Sequence, residues 1–112
     1  MSILEDLDSL LKSIGLPAET GVFSGAAPDE YVVLTPLADS FGMFADDIPL
    51  FDICEARVSL FSRNNYIKRK KQLVKLLVQA GFVITDRRYL GYENDTAYHH
   101  YAIDVAKEYE ME

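Results

Sequence analysis

The chain has 112 residues, 49% hydrophobic and 26% charged, with one cysteine and a formal net charge of −7. That length supports one core and is short for two, the apolar content excludes a disordered chain, and a lone Cys54 excludes an intramolecular disulfide. No apolar run approaches the ~20 residues that cross a bilayer, and the net acidity argues against general nucleic-acid binding.

The chain opens without the basic and apolar stretches of a signal peptide, so the reading is a soluble protein made in a cytoplasm. Ser2 and Glu5 have the spacing of a capping box, each satisfying the other's free backbone donor. Ile3, Leu4, Leu7, Leu10, Leu11 and Ile14 then form one helical stripe, which Gly15 and Pro17 stop. Residues 15–30 read as a connector with a short extended piece at Val22-Phe23. Residues 31–35 are a strand by composition, and Pro36 places it at an edge or ends it.

Residues 36–50 read as a long excursion between strands. Phe51 to Ser62 is the next strand, with Cys54, Ala56, Val58 and Leu60 on the better core face and Ile53, Glu55, Arg57, Ser59 and Phe61 on the other. Asn65 caps a second helix over 65–80. On it Tyr66, Ile67, Leu73, Val74, Leu76, Leu77, Val78 and Ala80 fill a broad apolar arc opposite Lys68, Lys71, Gln72, Lys75 and Gln79, and Gly81 ends it. Strands follow over 82–92 and 97–109, joined by a turn at 91–96. The order helix, strand, strand, helix, strand, strand predicts an α+β domain: one antiparallel sheet with two helices packed on one face.

No pattern carries enzyme chemistry. His99 and His100 are adjacent on a strand and point to opposite faces, so they do not chelate one ion. Cys54 falls mid-strand on a core face, where a thiol is inert. No serine has a nucleophile-elbow pattern, and 21–25 lacks the lysine and spacing of a phosphate loop. The expectation is a protein with no catalytic residues, cofactor, metal or small-molecule substrate.

The charges are segregated. Residues 57–88 hold nine of the eleven basic residues and one acid, Asp86, for a net +8, which leaves −15 on the rest. The run Lys68-Arg69-Lys70-Lys71 sits in the opening turns of a helix, where the macrodipole disfavours cations. Three readings stay open for it: a solvated outer face, a surface compensated by an acidic partner, and a clamp on nucleic-acid phosphate. Phe41, Met43 and Phe44, flanked by Asp39, Asp46 and Asp47, are either a satellite of the core or an exposed apolar tip. An acidic tip and a basic helix in one chain are suited to a head-to-tail contact between copies. In that contact Phe41, Met43, Phe44, Asp46 and Asp47 form one side, and Lys68, Lys71 and Lys75 the other.

Three stretches, 44–49, 55–66 and 80–105, resemble the small tail-completion proteins of long-tailed bacteriophages, the tail-to-head joining and tail-terminator subunits. They include Phe44-Ala45-Asp46-Asp47-Ile48-Pro49, Arg63-Asn64-Asn65-Tyr66 and Tyr98-His99-His100-Tyr101. The order of elements matches as well, and the resemblance covers most of residues 1–110. It implies an α+β virion subunit at the head–tail junction that forms or joins a six-fold ring, stops tail-tube growth or docks the tail to the head connector, and has no cofactor and no enzymatic activity. Its implied partners are other copies of itself, tail-tube proteins and head-connector proteins, with no membrane. The alternative reading is a nucleic-acid-associated adaptor that uses the basic helix 65–80.

Overall fold

The structure, a computed structural model, describes residues 2–21 and 27–111, with the side chains of Met43 and Phe44 outside the described set. Its elements are α1 (Ile3–Lys12), β1 (Ala18–Thr20), β2 (Glu30–Ala45), β3 (Ile48–Ser62), α2 (Tyr66–Gln79), β4 (Val83–Tyr92) and β5 (His99–Glu110). The strands form one sheet in the order β1-β2-β3-β5-β4, so β3 and β5 join two hairpins at the centre.

The α+β class and the two helices agree with the sequence reading. The wholly antiparallel sheet does not, because β1 runs parallel to β2, with Ala18 beside Val32 and Thr20 beside Leu34. A three-residue strand leaves no periodic signature, and its direction follows from where α1 releases the chain. The Val32 N–H donates to the Pro17 carbonyl at 2.8 Å, which draws the next residues alongside β2. The extended piece expected at Val22-Phe23 lies outside the described residues.

The excursion expected at 36–50 is instead the far half of one long hairpin. β2 and β3 pair from Glu30–Ser62 to Ala45–Ile48, closed by a two-residue turn. Asp46 and Asp47 both take positive φ, 52° and 64°, the primed-turn geometry that matches strand twist and that aspartate tolerates. Pro36 does not end the strand. The alternation that points Val32 toward β1 points Pro36 the same way, past the end of β1, so its missing N–H costs no ladder bond. A bulge at Leu37 absorbs the irregularity.

Both helices pack on one face of the sheet. Leu7 and Leu11 of α1, Leu73 and Leu77 of α2, and Val32, Leu34, Val58, Leu60, Ile103 and Val105 beneath them make a single core with no exposure above 1%. Burial of each such side chain contributes about 1.5–3 kcal/mol. The helices end alike. Leu16 N–H bonds the Leu11 carbonyl and Gly15 N–H that of Lys12, while Phe82 bonds Leu77 and Gly81 bonds Val78. Glycine supplies the left-handed residue, φ +70° and +90°, and the apolar residue after it is buried. At the α1 start Ser2 Oγ accepts the Glu5 N–H, but the Glu5 carboxylate takes the Ser2 hydroxyl, so the expected capping box is half made. The apolar arc of α2 is narrower than predicted: Leu73 and Leu77 are fully buried and Val74 packs beside them, while Ile67 and Val78 stand exposed on the side away from the core.

Candidate interaction surfaces

β5 pairs with β3 only as far as Phe51, and β1 pairs with β2 only as far as Leu34. Past Leu34 β2 is thus, among the described residues, an open edge strand beside β3 and β5, and past Gly42 and Phe51 β2 and β3 alone run on to the turn; this outer half of the hairpin, the arm, stretches the molecule to 54 × 24 × 23 Å. The arm is apolar where a monomer would be polar: Leu37 is 44% exposed, Phe41 57%, Ile48 64% and Leu50 43%. The register places Phe41 opposite Asp52 and Asp39 opposite Cys54. Alternation therefore puts Phe41, Ile48 and Leu50, with Asp39 and Asp52, on the side continuous with the helix-bearing face. Ile53 lies over Gly42 on the other side, where an added Cβ would come within 2.8 Å of its side chain. Asp46 and Asp47 are exposed at the tip. Phe41 is exposed and stands on the ladder opposite Asp52, five residues before the turn, and the side chains of Met43 and Phe44 lie outside the described residues.

The basic run divides into two pairs. Arg69 Nε and Nη2 donate to Glu30 Oε1 at 3.1 and 2.8 Å, and the other Glu30 oxygen accepts the buried Ser62 hydroxyl at 2.8 Å. Lys70 lies 4.7 Å from the centre of the Tyr101 ring, a cation–π contact. These two cations fasten α2 to the sheet. Lys68, Lys71 and Lys75 point outward, exposed and without an ion pair among the described residues. α2 starts beside Ser62, fifteen residues along β3 from the tip, a separation of about 50 Å at the strand rise of ~3.3 Å per residue. The tip and Lys68 of one chain therefore sit at opposite ends.

The face of the sheet away from the helices has an aromatic patch at one end. Phe61 stacks on Tyr31 at 4.9 Å and on His100 at 4.1 Å, with Tyr98 edge-on. Burial lowers the His100 pKa below its ordinary value. In mid-face Arg57 grips Asp104 with two bonds, 2.7 and 3.1 Å, which raises the arginine pKa further. His99 stacks on Tyr66 across the sheet from His100, as alternation requires. His99, Asp104 and Cys54 do not converge: Asp104 is on the opposite face, and Cys54 lies eight residues along β3 from the Ser62–His99 pair. Burial, then the bond to Asp39 and the charges of Asp39 and Asp52, push the Cys54 thiol up to about 11, so it stays protonated at neutral pH. No helix among the described residues is long and apolar enough to cross a membrane.

The sequence reading missed Leu37, Ile48 and Leu50. Their signal was present as apolar residues spaced on both sides of an Asp-Asp pair able to form a two-residue turn. In comparison with known proteins, no protein-family model matches the chain, and no characterised protein searched does either.

Proposed function

We propose that this protein is a non-enzymatic structural subunit that assembles with copies of itself and with neighbouring proteins, and that it serves at the head–tail junction of a long-tailed bacteriophage as a tail-completion subunit. The observation that carries the assembly reading is the arm. Its end is a two-stranded ribbon, which alone is marginal in water, and one side of the arm exposes Ile48 and Leu50 on that ribbon and Phe41 at its base. A partner that covers this side removes that cost. The placement at a phage head–tail joint rests on the sequence resemblance at 44–49, 55–66 and 80–105, which also supplies the ring.

In this scheme the acidic apolar arm of one copy lies against Lys68, Lys71 and Lys75 of the next. Because tip and Lys68 are at opposite ends of a chain, the contact is between copies and head to tail, the kind that closes into rings. Two of the four cations in the basic run are occupied by Glu30 and Tyr101, which leaves less for the nucleic-acid reading. The test is the triple variant Lys68→Glu, Lys71→Glu, Lys75→Glu. Its melting temperature is expected to stay near that of the parent while sedimentation shows assembly lost. Normal assembly by the triple variant would refute the pairing. Steeply salt-dependent DNA binding by the parent, abolished in the variant, would put the adaptor reading in its place.

A further inference from the structure

Among the open edges of the sheet are those of β2 and β4. Among the described residues no strand pairs with β2 beyond Leu34, and none pairs with the outer side of β4. An open edge is a template for another strand, and stable monomers blunt it with charge, bulges or cover. The two edges here carry opposite charge. Along β2 the exposed polar residues are Asp39 and Ser40, with Asp46 and Asp47 beyond. Along β4 they include Arg87, exposed and without an ion pair among the described residues, and Arg88. The one acid of β4, Asp86, is engaged by its own neighbours, since it accepts the Arg87 N–H and the Arg88 guanidinium.

We infer that the β2 edge of one copy pairs with the β4 edge of the next, so that the sheets of successive copies run on as one; this rests on the self-assembly reading above and names its contact. Three observations carry the inference beyond charge. The first is direction. β2, β3, β5 and β4 alternate, so β4 is antiparallel to β2 within a chain. A neighbour in the same orientation therefore presents β4 to β2 as an antiparallel partner, which a cyclic arrangement preserves around the ring.

The second is register. Asp39 lies on the helix-bearing side opposite Cys54, and Arg87 lies on that side opposite Ile103. Residues facing each other in a sheet share a side, so Asp39 can stand opposite Arg87. That register sets Ser40 against Asp86, Ala38 against Arg88 and Leu37 against Tyr89. These are the four β4 residues between its bulges at Thr85 and Leu90. The bulge at Leu90 ends the ladder before it would meet β1, which occupies the β2 edge up to Leu34.

The third is what the ladder brings together. Asp39 and Phe41 would lie on the side that carries the neighbour's α2, with its free lysines. With copies in the same orientation Asp46 and Asp47 run on past the C-terminal end of that helix, so the ladder places Asp39 and Phe41, rather than the tip, on the α2 side. Like edges are disfavoured, since β2 on β2 sets acid against acid and β4 on β4 sets arginine against arginine.

Disulfide trapping tests this. Ala38 and Arg88 face away from the helices and from Cys54, and directly opposed antiparallel residues lie 4.5–5.5 Å apart at Cα, within disulfide reach. The double variant Ala38→Cys, Arg88→Cys, oxidised at high concentration, should give a covalent ladder of dimers, trimers and larger species, and either single variant should remain monomeric. Equal dimer yields from a single variant would show like edges meeting and overturn the inference. No ladder, with the native chain sedimenting as a larger species, would overturn edge pairing and leave the assembly reading standing. No ladder from a native chain that stays monomeric throughout would remove both.

Discussion

The two halves of the β2–β3 hairpin are the same strands in different surroundings. At the root Val32, Leu34, Val58 and Leu60 are fully buried beneath α1 and α2. Along the arm Leu37, Phe41, Ile48 and Leu50 have comparable apolar bulk and a similar backbone ladder, yet stand open. The difference is the second layer, the helices, which cover the root and not the arm. A hairpin can thus be extended past its core by pairing alone, and the apolar residues on the extension contribute to contacts with partners more than to the stability of the fold.

The sharpest way to break this comparison is to truncate one residue from each half. Leu77→Ala removes a fully buried side chain and should cost about 3 kcal/mol in urea unfolding, whereas Ile48→Ala should cost less than about 0.5 kcal/mol. Equal losses would make the arm part of the folding unit. A smaller effect is expected at the junction of α2 and the root. Glu30→Ala leaves Ser62 and Arg69 without their shared acceptor and should cost about 2 kcal/mol. A loss near zero would mean that apolar contacts alone hold α2.

The smallest effect concerns pH. Burial lowers the His100 pKa, so below its ordinary value, about 6.5, the unfolded chain binds more protons than the folded one. The stability is present at neutral pH and declines as pH falls through that value. His100→Phe keeps the stack on Phe61 and should flatten the dependence, as read from melting temperatures between about pH 5.5 and 7.5. An unchanged slope would assign it to carboxylates instead.

Much of the root was legible in the residues. The glycine and apolar pair after each helix, the Asn65 cap, which accepts the Lys68 N–H at 3.1 Å, and the split of β3 into two faces all depend on neighbours within a few positions. So does the placement of His99 and His100 on opposite faces. The arm was less legible: the Asp-Asp turn signal was there, but Pro36, Gly42 and four aspartates each argue against a strand when read locally. Pro36 is accommodated by an edge that β1 has left and Gly42 by a side chain from the facing strand, both non-local, while Asp46 and Asp47 form a two-residue turn in a conformation that aspartate tolerates.

The candidate surface shows the same division. The segregation of charge, the basic run and the apolar cluster around Phe41 were all present in the sequence. It also determined the α+β class and the ends of both helices, since periodicity and capping are short-range. Only the tertiary structure decided which cations are free, because Arg69 and Lys70 meet Glu30 and Tyr101 from thirty or more residues away. It likewise decided that β1 runs parallel, that the arm projects, and that an acidic edge and a basic edge lie at opposite borders of one sheet. Strand order and exposure are properties of contacts between distant segments, and no local pattern encodes them.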